Sequence, residues 1–206
     1  MPTGVYKPLS ESEISAAVEL ISPSAGTEIG TVNQPASGSV ACTVKKFGPF
    51  IQMDFVLSAA RITVTDGAGS GSHGSLKLFD FAQYAVSFLG CRQDYTAFAE
   101  GTALTGEAGD AVFEIGVGTT AISAAADGTL GNGAQENVGQ AVAITLSGGT
   151  GTGTAVDGAK TTALDGTSTA LALNLNWSGS AATIDATSTI DVTGTITVVA
   201  VLMGDD

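Results

Sequence analysis

Ile190-Asp191-Val192-Thr193-Gly194-Thr195-Ile196-Thr197-Val198-Val199-Ala200-Val201-Leu202 is the stretch whose reading decides the fold. Ile190, Val192, Ile196, Val198, Ala200 and Leu202 share one parity, and Asp191, Thr193, Thr195 and Thr197 share the other. Successive side chains of a strand point to opposite faces, so the spacing predicts a long β-strand with one apolar and one polar face.

The same period of two recurs upstream. Val40, Cys42 and Val44 alternate, and after Gly48-Pro49 so do Ile51, Met53, Phe55 and Leu57. Ile62 and Val64 carry the pattern to the turn signal Thr65-Asp66-Gly67. Leu76 to Tyr95 is the densest apolar block and reads as two strands or one long bent strand. Short strands are expected at 111–115, at Val142, Ile144 and Leu146, and at Leu171, Leu173, Leu175 and Trp177, with a further piece beginning at Ile184. Gly67–Ser75, 100–110, 123–138 and 147–169 read as loops rich in small residues.

The N-terminal part differs. Residues 1–10 hold Pro2 and Pro8 and read as an extended arm. Ser10 and Glu13 have capping-box spacing, and Ile14, Val18 and Ile21 follow at helical intervals, so 11–21 is a possible short helix; the alternative is a β or coil arm that Pro23 ends. Residues 22–39 read as a Ser-, Gly- and Pro-rich linker. The expected organisation is an arm, possible helix and linker over 1–39 and an all-β domain over 40–206. Eight to ten antiparallel strands with connections of very uneven length point to a single jelly roll or β-sandwich, and the spacing fits an immunoglobulin-like sandwich as well.

Composition narrows the function. Hydrophobic residues make up 44% of the 206, too many for a disordered chain, while charged residues are only 13%. The polar surface must then consist largely of Ser, Thr, Asn and Gly, and subunit contacts are expected to cover part of it. The net charge is −13. Residues 1–93 carry six Lys/Arg and seven Asp/Glu, whereas 94–206 carry only Lys160 against thirteen acids. Such an acidic half repels nucleic acid and anionic lipid, so neither is an expected partner. The only basic cluster, Lys45-Lys46, and most large aromatics lie in the first half, which is where a docking contact is expected. Acidity that simply maintains solubility is an equally good account of the charge. No apolar run approaches the ~18–20 residues that span a membrane as a helix, and the N-terminus shows no charged-then-apolar signal pattern.

Catalytic constellations are not apparent. The single histidine, His73, sits in Gly71-Ser72-His73-Gly74-Ser75 without a Gly-x-Ser-x-Gly elbow, so an exposed loop residue is expected. One His and two distant Cys do not make a zinc set, and Cys42 and Cys91 read as buried thiols rather than a disulfide. Asp127 to Gly133 lacks the Asp-x-Asp-x-Asp-Gly series of a calcium loop. Gly153 to Thr161 approaches a phosphate loop, but Ala159 intervenes before Lys160 and Asp157 adds repulsion. Asn176-Trp177-Ser178 matches a glycosylation acceptor and reads as chance. Trp177 and Tyr95 are the aromatics that could stack on a sugar, but Trp177 shares the core parity of Leu171, Leu173 and Leu175. No catalytic, cofactor-binding or metal residue is assigned, and no cofactor is expected.

Asp185-Ala186-Thr187-Ser188-Thr189-Ile190, Thr193-Gly194-Thr195-Ile196-Thr197-Val198 and the closing Met203-Gly204-Asp205-Asp206 give the last 40 or so residues the style of a tailed-bacteriophage virion structural protein. In size and composition the chain most resembles the capsid decoration, or cement, proteins. That resemblance implies a non-enzymatic, jelly-roll-like homotrimer, made in the host cytoplasm, that sits on the outer capsid surface of the virion and bridges major capsid protein subunits. The arm residues Val5, Tyr6 and Leu9, with Lys45 and Lys46, are the expected contacts to capsid or neighbouring subunit. The alternative is a β-sandwich tail or receptor-recognition module that binds cell-surface glycan.

Overall fold

A computed structural model describes residues 29–66, 72–101, 113–123, 130, 134–144, 150–151, 156–158, 163–179 and 187–203. Its strands are Gly30–Val32 (β1), Ser39–Phe47 (β2), Phe50–Asp66 (β3), Ser72–Phe81 (β4), Ala85–Glu100 (β5), Phe113–Gly118 (β6), Gly139–Ile144 (β7), Thr150–Gly151 (β8), Val156–Gly158 (β9), Ala163–Leu164 (β10), Ala172–Gly179 (β11) and Ser188–Met203 (β12). There is no helix among the described residues. The arm and possible helix expected over 1–21 lie outside them.

The alternating C-terminal stretch is the central strand. β12 pairs antiparallel with β3 from Ser188↔Val64 to Val201↔Phe50, and on its other side with β5 from Ile190↔Glu100 to Met203↔Ala85. Ile190, Val192, Ile196, Val198 and Ala200 are wholly buried. Every strand joins one antiparallel sheet, whose longest path runs β10-β5-β12-β3-β4-β11-β6-β7. β2 adds to β3 and β1 adds to β4. The sheet curls until it nearly closes, because β7 returns to lie beside β5 and β9, and Gln93 Nε2 of β5 donates to Gln140 O of β7 at 2.8 Å. The result is an all-β, sandwich-like body.

Aromatic rings fill the space between its two sides. Phe55 of β3 meets Phe79 of β4 at 6.2 Å, Phe79 meets Phe81 at 5.1 Å, and Phe81 meets Phe88 of β5 at 5.9 Å, all edge-to-face. A second group joins Tyr95 and Phe98 of β5 to Trp177 of β11, which stacks on Phe113 of β6 at 5.0 Å. Edge-to-face and offset arrangements match the positive rim of one ring to the negative face of another. Tyr95 is buried, but its hydroxyl donates to Gln93 Oε1 at 2.6 Å, so this polar pair is satisfied inside the core.

The ladder bends at Thr193-Gly194. Both partners carry an extra residue there: β3 shifts register between the residues facing Val192 and Gly194, and β5 between those facing Thr193 and Gly194. A β-carbon on Gly194 would sit 2.4 Å from Asp94 O, so only glycine lets β5 pass this closely. In the β3 bulge Ala59 takes φ 48°, and its N–H donates to Thr193 Oγ1 at 3.1 Å. At this bulge β2 stops pairing with β3; residues 33–38 cross from β1, and Arg61 N–H donates to Ser37 O at 3.1 Å.

The expected alternating strands that fall on described residues are present, the piece expected from Ile184 lies outside the described residues, and three loop expectations are corrected. Ser72–Ser75, read as flexible loop, belongs to β4 and pairs with β3 and β11. Gly74 is needed in that strand because a β-carbon would stand 2.4 Å from Thr63 O. Part of the presumed linker, Gly30–Val32, pairs with Val32↔Phe79 to Gly30↔Phe81. Within 147–169 the short strands β8, β9 and β10 all pair with β5. The Leu76–Tyr95 block is two strands, β4 and β5, separated by Ala82–Tyr84.

Phe79 touches both Phe55 and Phe81 and is fully buried. Phe79→Ala is expected to cost about 3–5 kcal/mol in urea denaturation, whereas Leu89→Ala on the surface changes stability by less than about 0.5 kcal/mol. Equal, small effects of both would contradict this core.

Candidate interaction face

The outward side chains of β2, β3, β12 and β5 line up in cross-strand rows, and the rows change character along the strands. One row sets Phe47 opposite Phe50, Phe50 opposite Val201, and Val201 opposite Ser87. The next sets Lys45, Gln52, Val199 and Gly90 side by side, and the third Thr43, Asp54, Thr197 and Arg92. The first row is therefore apolar and the third polar.

The exposed large hydrophobic residues are distributed unevenly. Phe47 is 51% exposed, Phe50 47%, Val56 48%, Leu89 39% and Met203 37%. All five lie on β2, β3, β5 or β12, and among the described residues none lies on the β1-β4-β11-β6-β7 side. Four of them gather at one end: Phe47 and Phe50 flank the Gly48-Pro49 turn, Met203 lies one outward position beyond Val201, and Leu89 stands out at the register shift between Val199 and Ala200. Leu202 N–H donates to Pro49 O at 2.8 Å and ties the end of β12 to the turn. Single exposed apolar residues are ordinary, but a cluster with a polar rim marks an interaction surface.

The rim is an ordered polar network. Lys45 Nζ lies 2.8 Å from Asp54 Oδ2. Gln52 Nε2 donates to Asp54 Oδ1 at 2.9 Å, and Thr197 Oγ1 donates to Asp54 Oδ1 at 3.0 Å. Burial by itself would raise the Asp54 pKa; the hydrogen bonds from Lys45, Gln52 and Thr197, with the Lys45 charge, overcome it and hold the carboxyl below its usual range. Farther along the face, Arg61 Nε and Nη2 each donate to Asp191 at 2.7 Å, a two-pronged pair that fixes the β3–β12 register.

The residues singled out in the sequence fall in different places. Val5, Tyr6 and Leu9 lie outside the described residues. Lys45 is outward and paired with Asp54. Lys46 stands on the inward parity of β2, opposite Ile51, yet is exposed because β2 is an edge strand. His73 is half-buried on a strand with its Nδ1 enclosed, which corrects the expectation of an exposed loop residue. The Asp127–Gly133 and Gly153–Thr161 segments lie largely outside the described residues. Among those described, no three His, Cys, Asp or Glu side chains gather to hold a metal.

Cys42 and Cys91 are free thiols, half-buried and buried respectively. Burial, then the nearby Asp54 charge, pushes the Cys42 thiol up to about 12, so it stays protonated near neutrality. Trp177 and Tyr95 lie in the core and present no face to a sugar.

No protein-family model, curated protein or solved structure matches the chain.

From the sequence a docking contact is expected in the first half, at Lys45 and Lys46, and the exposed Phe47 and Phe50 are not singled out. Their signal is parity: Ile51, Met53, Phe55 and Leu57 fill the core, so Phe50 must face outward, and a two-residue turn puts Phe47 beside it.

The Asp54 network predicts a pH effect. A carboxyl with a depressed folded pKa contributes stability that is fully present above its unfolded value, near pH ~4, and is lost as pH falls through the folded value. Thermal unfolding of Asp54→Asn is therefore expected to fall less steeply with acid than that of the parent protein. Parallel curves would show that the network adds nothing.

Proposed function

We propose that this chain is a non-enzymatic virion structural protein that docks on the outer face of a phage capsid and bridges capsid subunits. The observation that carries the reading is the clustering of Phe47, Phe50, Leu89 and Met203 at one end of a face clad elsewhere, apart from the exposed Val56, mainly in Thr, Asp, Gln and Lys. Such a surface is suited to burial against protein. It offers no set of convergent polar groups of the kind that orients a small substrate. The polar rim around Asp54 restricts where the apolar end can seat and supplies directional contacts at its border. The resemblance of the C-terminal stretch to virion structural proteins adds the class of partner, a major capsid protein, and a homotrimeric assembly.

The strand directions give this reading an orientation. The β2–β3 turn, the start of β5 and the end of β12 share one end with Ile29, whose carbonyl accepts from Ala82 N–H at 2.7 Å. The first described residue therefore lies at the apolar end, which is compatible with the expected contacts Val5, Tyr6 and Leu9 belonging to the same partner interface. The chain joins β3 to β4, β5 to β6 and β11 to β12 at the opposite end, which faces away from the shell.

Burying one phenylalanine side chain contributes roughly 1.5–3 kcal/mol, and about 1.4 kcal/mol is tenfold in affinity. Co-sedimentation with empty capsid shells from the protein's own source is expected to show saturable binding at a fixed ratio to capsid protein. Phe47→Ser with Phe50→Ser should weaken it by a hundredfold or more, on that roughly 3–6 kcal/mol scale. Absence of binding by the parent protein, or unchanged binding by the double variant, would overturn the proposal.

A further inference from the structure

Two groups of polar atoms lie inside the body. The first is satisfied within the chain: the Tyr95 hydroxyl donates to Gln93 Oε1, and Gln93 Nε2 donates to Gln140 O. The second is in the last inward layer at the end where β3 passes to β4, away from the Phe47–Phe50 turn. There Ser72 of β4, Gly179 of β11 and Phe113 of β6 stand side by side. Ser188 of β12, on the parity of Ile190, and Glu100 of β5, opposite Ile190, belong to the same layer. Trp177 lies one layer deeper, opposite Gly74 and diagonal to Ser72 across the β11–β4 ladder.

Ser72 and Trp177 are both fully buried. Ser72 Oγ and Trp177 Nε1 nevertheless have no hydrogen-bond partner among the described residues. That is unusual in a protein interior, where a buried polar atom nearly always bonds to protein or to ordered water. The two atoms belong to one packed cluster. A β-carbon on Gly179 would stand 2.6 Å from Ser72 Oγ and 2.9 Å from Phe113 Cδ1, so the glycine makes room for the hydroxyl beside the Phe113 ring. Phe113 in turn stacks on Trp177 at 5.0 Å.

We propose that this inner layer is a binding site for one ordered water molecule, which accepts from Trp177 Nε1–H and shares a hydrogen bond with Ser72 Oγ. The donor set selects the occupant. An indole N–H only donates, so the occupant must accept, and a serine hydroxyl does either. An N–H donor repels a cation, and the acid Glu100 in the same layer opposes an anion. Phe98 and Phe113 already pack on the indole, at 6.2 and 5.0 Å, so the occupant is small. Water meets all three conditions. It also bridges atoms about 5–6 Å apart, twice an ordinary hydrogen-bond length, which suits diagonal neighbours of a ladder. The bridge joins β11 to β4 through side chains where their backbone ladder ends, at Gly179↔Ser72, and fixes the indole against Phe113.

This assignment is independent of the capsid reading and is tested on the full chain. Trp177 is the single tryptophan, so its indole proton gives a unique NMR signal. The expected result is a cross-relaxation peak between that proton and water, with the opposite signs in NOE and ROE spectra that mark a long-held water. Ser72→Ala, checked for an unchanged fold by Trp177 fluorescence, is expected to lose that peak. A crystal structure is expected to place a water oxygen within about 3.2 Å of both Trp177 Nε1 and Ser72 Oγ. No such peak in the parent protein, or an unchanged peak in Ser72→Ala, would overturn the proposal. So would a crystal structure in which Trp177 Nε1 donates directly to a protein oxygen, or in which an ion or organic molecule takes the place of the water.

Discussion

The structure depends on one constraint, the two-sided pairing of β12. This strand bonds to β3 along one edge and to β5 along the other, while its even-numbered side chains are sealed in the core. A slip of one residue would turn Ile190, Val192, Ile196 and Val198 to solvent and bury Asp191 and four threonines. The Arg61–Asp191 pair and the paired bulges at Thr193-Gly194 allow one register only. With β3 and β5 held there, β4 and β11 are carried over the core, and the rings of Phe55, Phe79, Phe81, Phe88, Phe98 and Trp177 close the space between the sides.

The same ladder creates the candidate interaction face. Its outward side is polar in the middle, where Thr195, Thr197, Asp54 and Gln52 lie, and apolar at the end, where Val199 and Val201 replace threonine. The break in the Thr pattern coincides with the Phe47–Phe50 turn across the ladder. An otherwise polar face thus acquires an apolar end without disturbing the core, because the change affects only outward positions.

Much of this was legible in the sequence, for a physical reason. Strands buried on one face must alternate, so β3, β12 and the odd-numbered leucines of β11 announce themselves, and with them the all-β architecture. Strands stay hidden where glycine replaces the alternating side chain, as Gly74 does in β4 against the Thr63 backbone, or where they are too short to show a period, as β8, β9 and β10 are at two or three residues each. The candidate interaction face was half legible. Lys45 and Lys46 drew attention as a basic pair, yet Lys45 is committed to Asp54. The exposed Phe47 and Phe50 emerge only once the inward parity of Ile51, Met53 and Phe55 is fixed.

Oxidative footprinting of the protein bound to empty capsid shells, read residue by residue by mass spectrometry, tests the docking account most directly. Met203, Phe47 and Phe50 are exposed and readily oxidised in the free protein, and half-buried Tyr84 on the β4–β5 connection serves as a nearby reference. Docking through the apolar end predicts strong protection of Met203, Phe47 and Phe50 on the shell, with oxidation of His73, on β4 toward the opposite end, unchanged. Bound protein in which Met203, Phe47 and Phe50 oxidise as fast as in solution would contradict it.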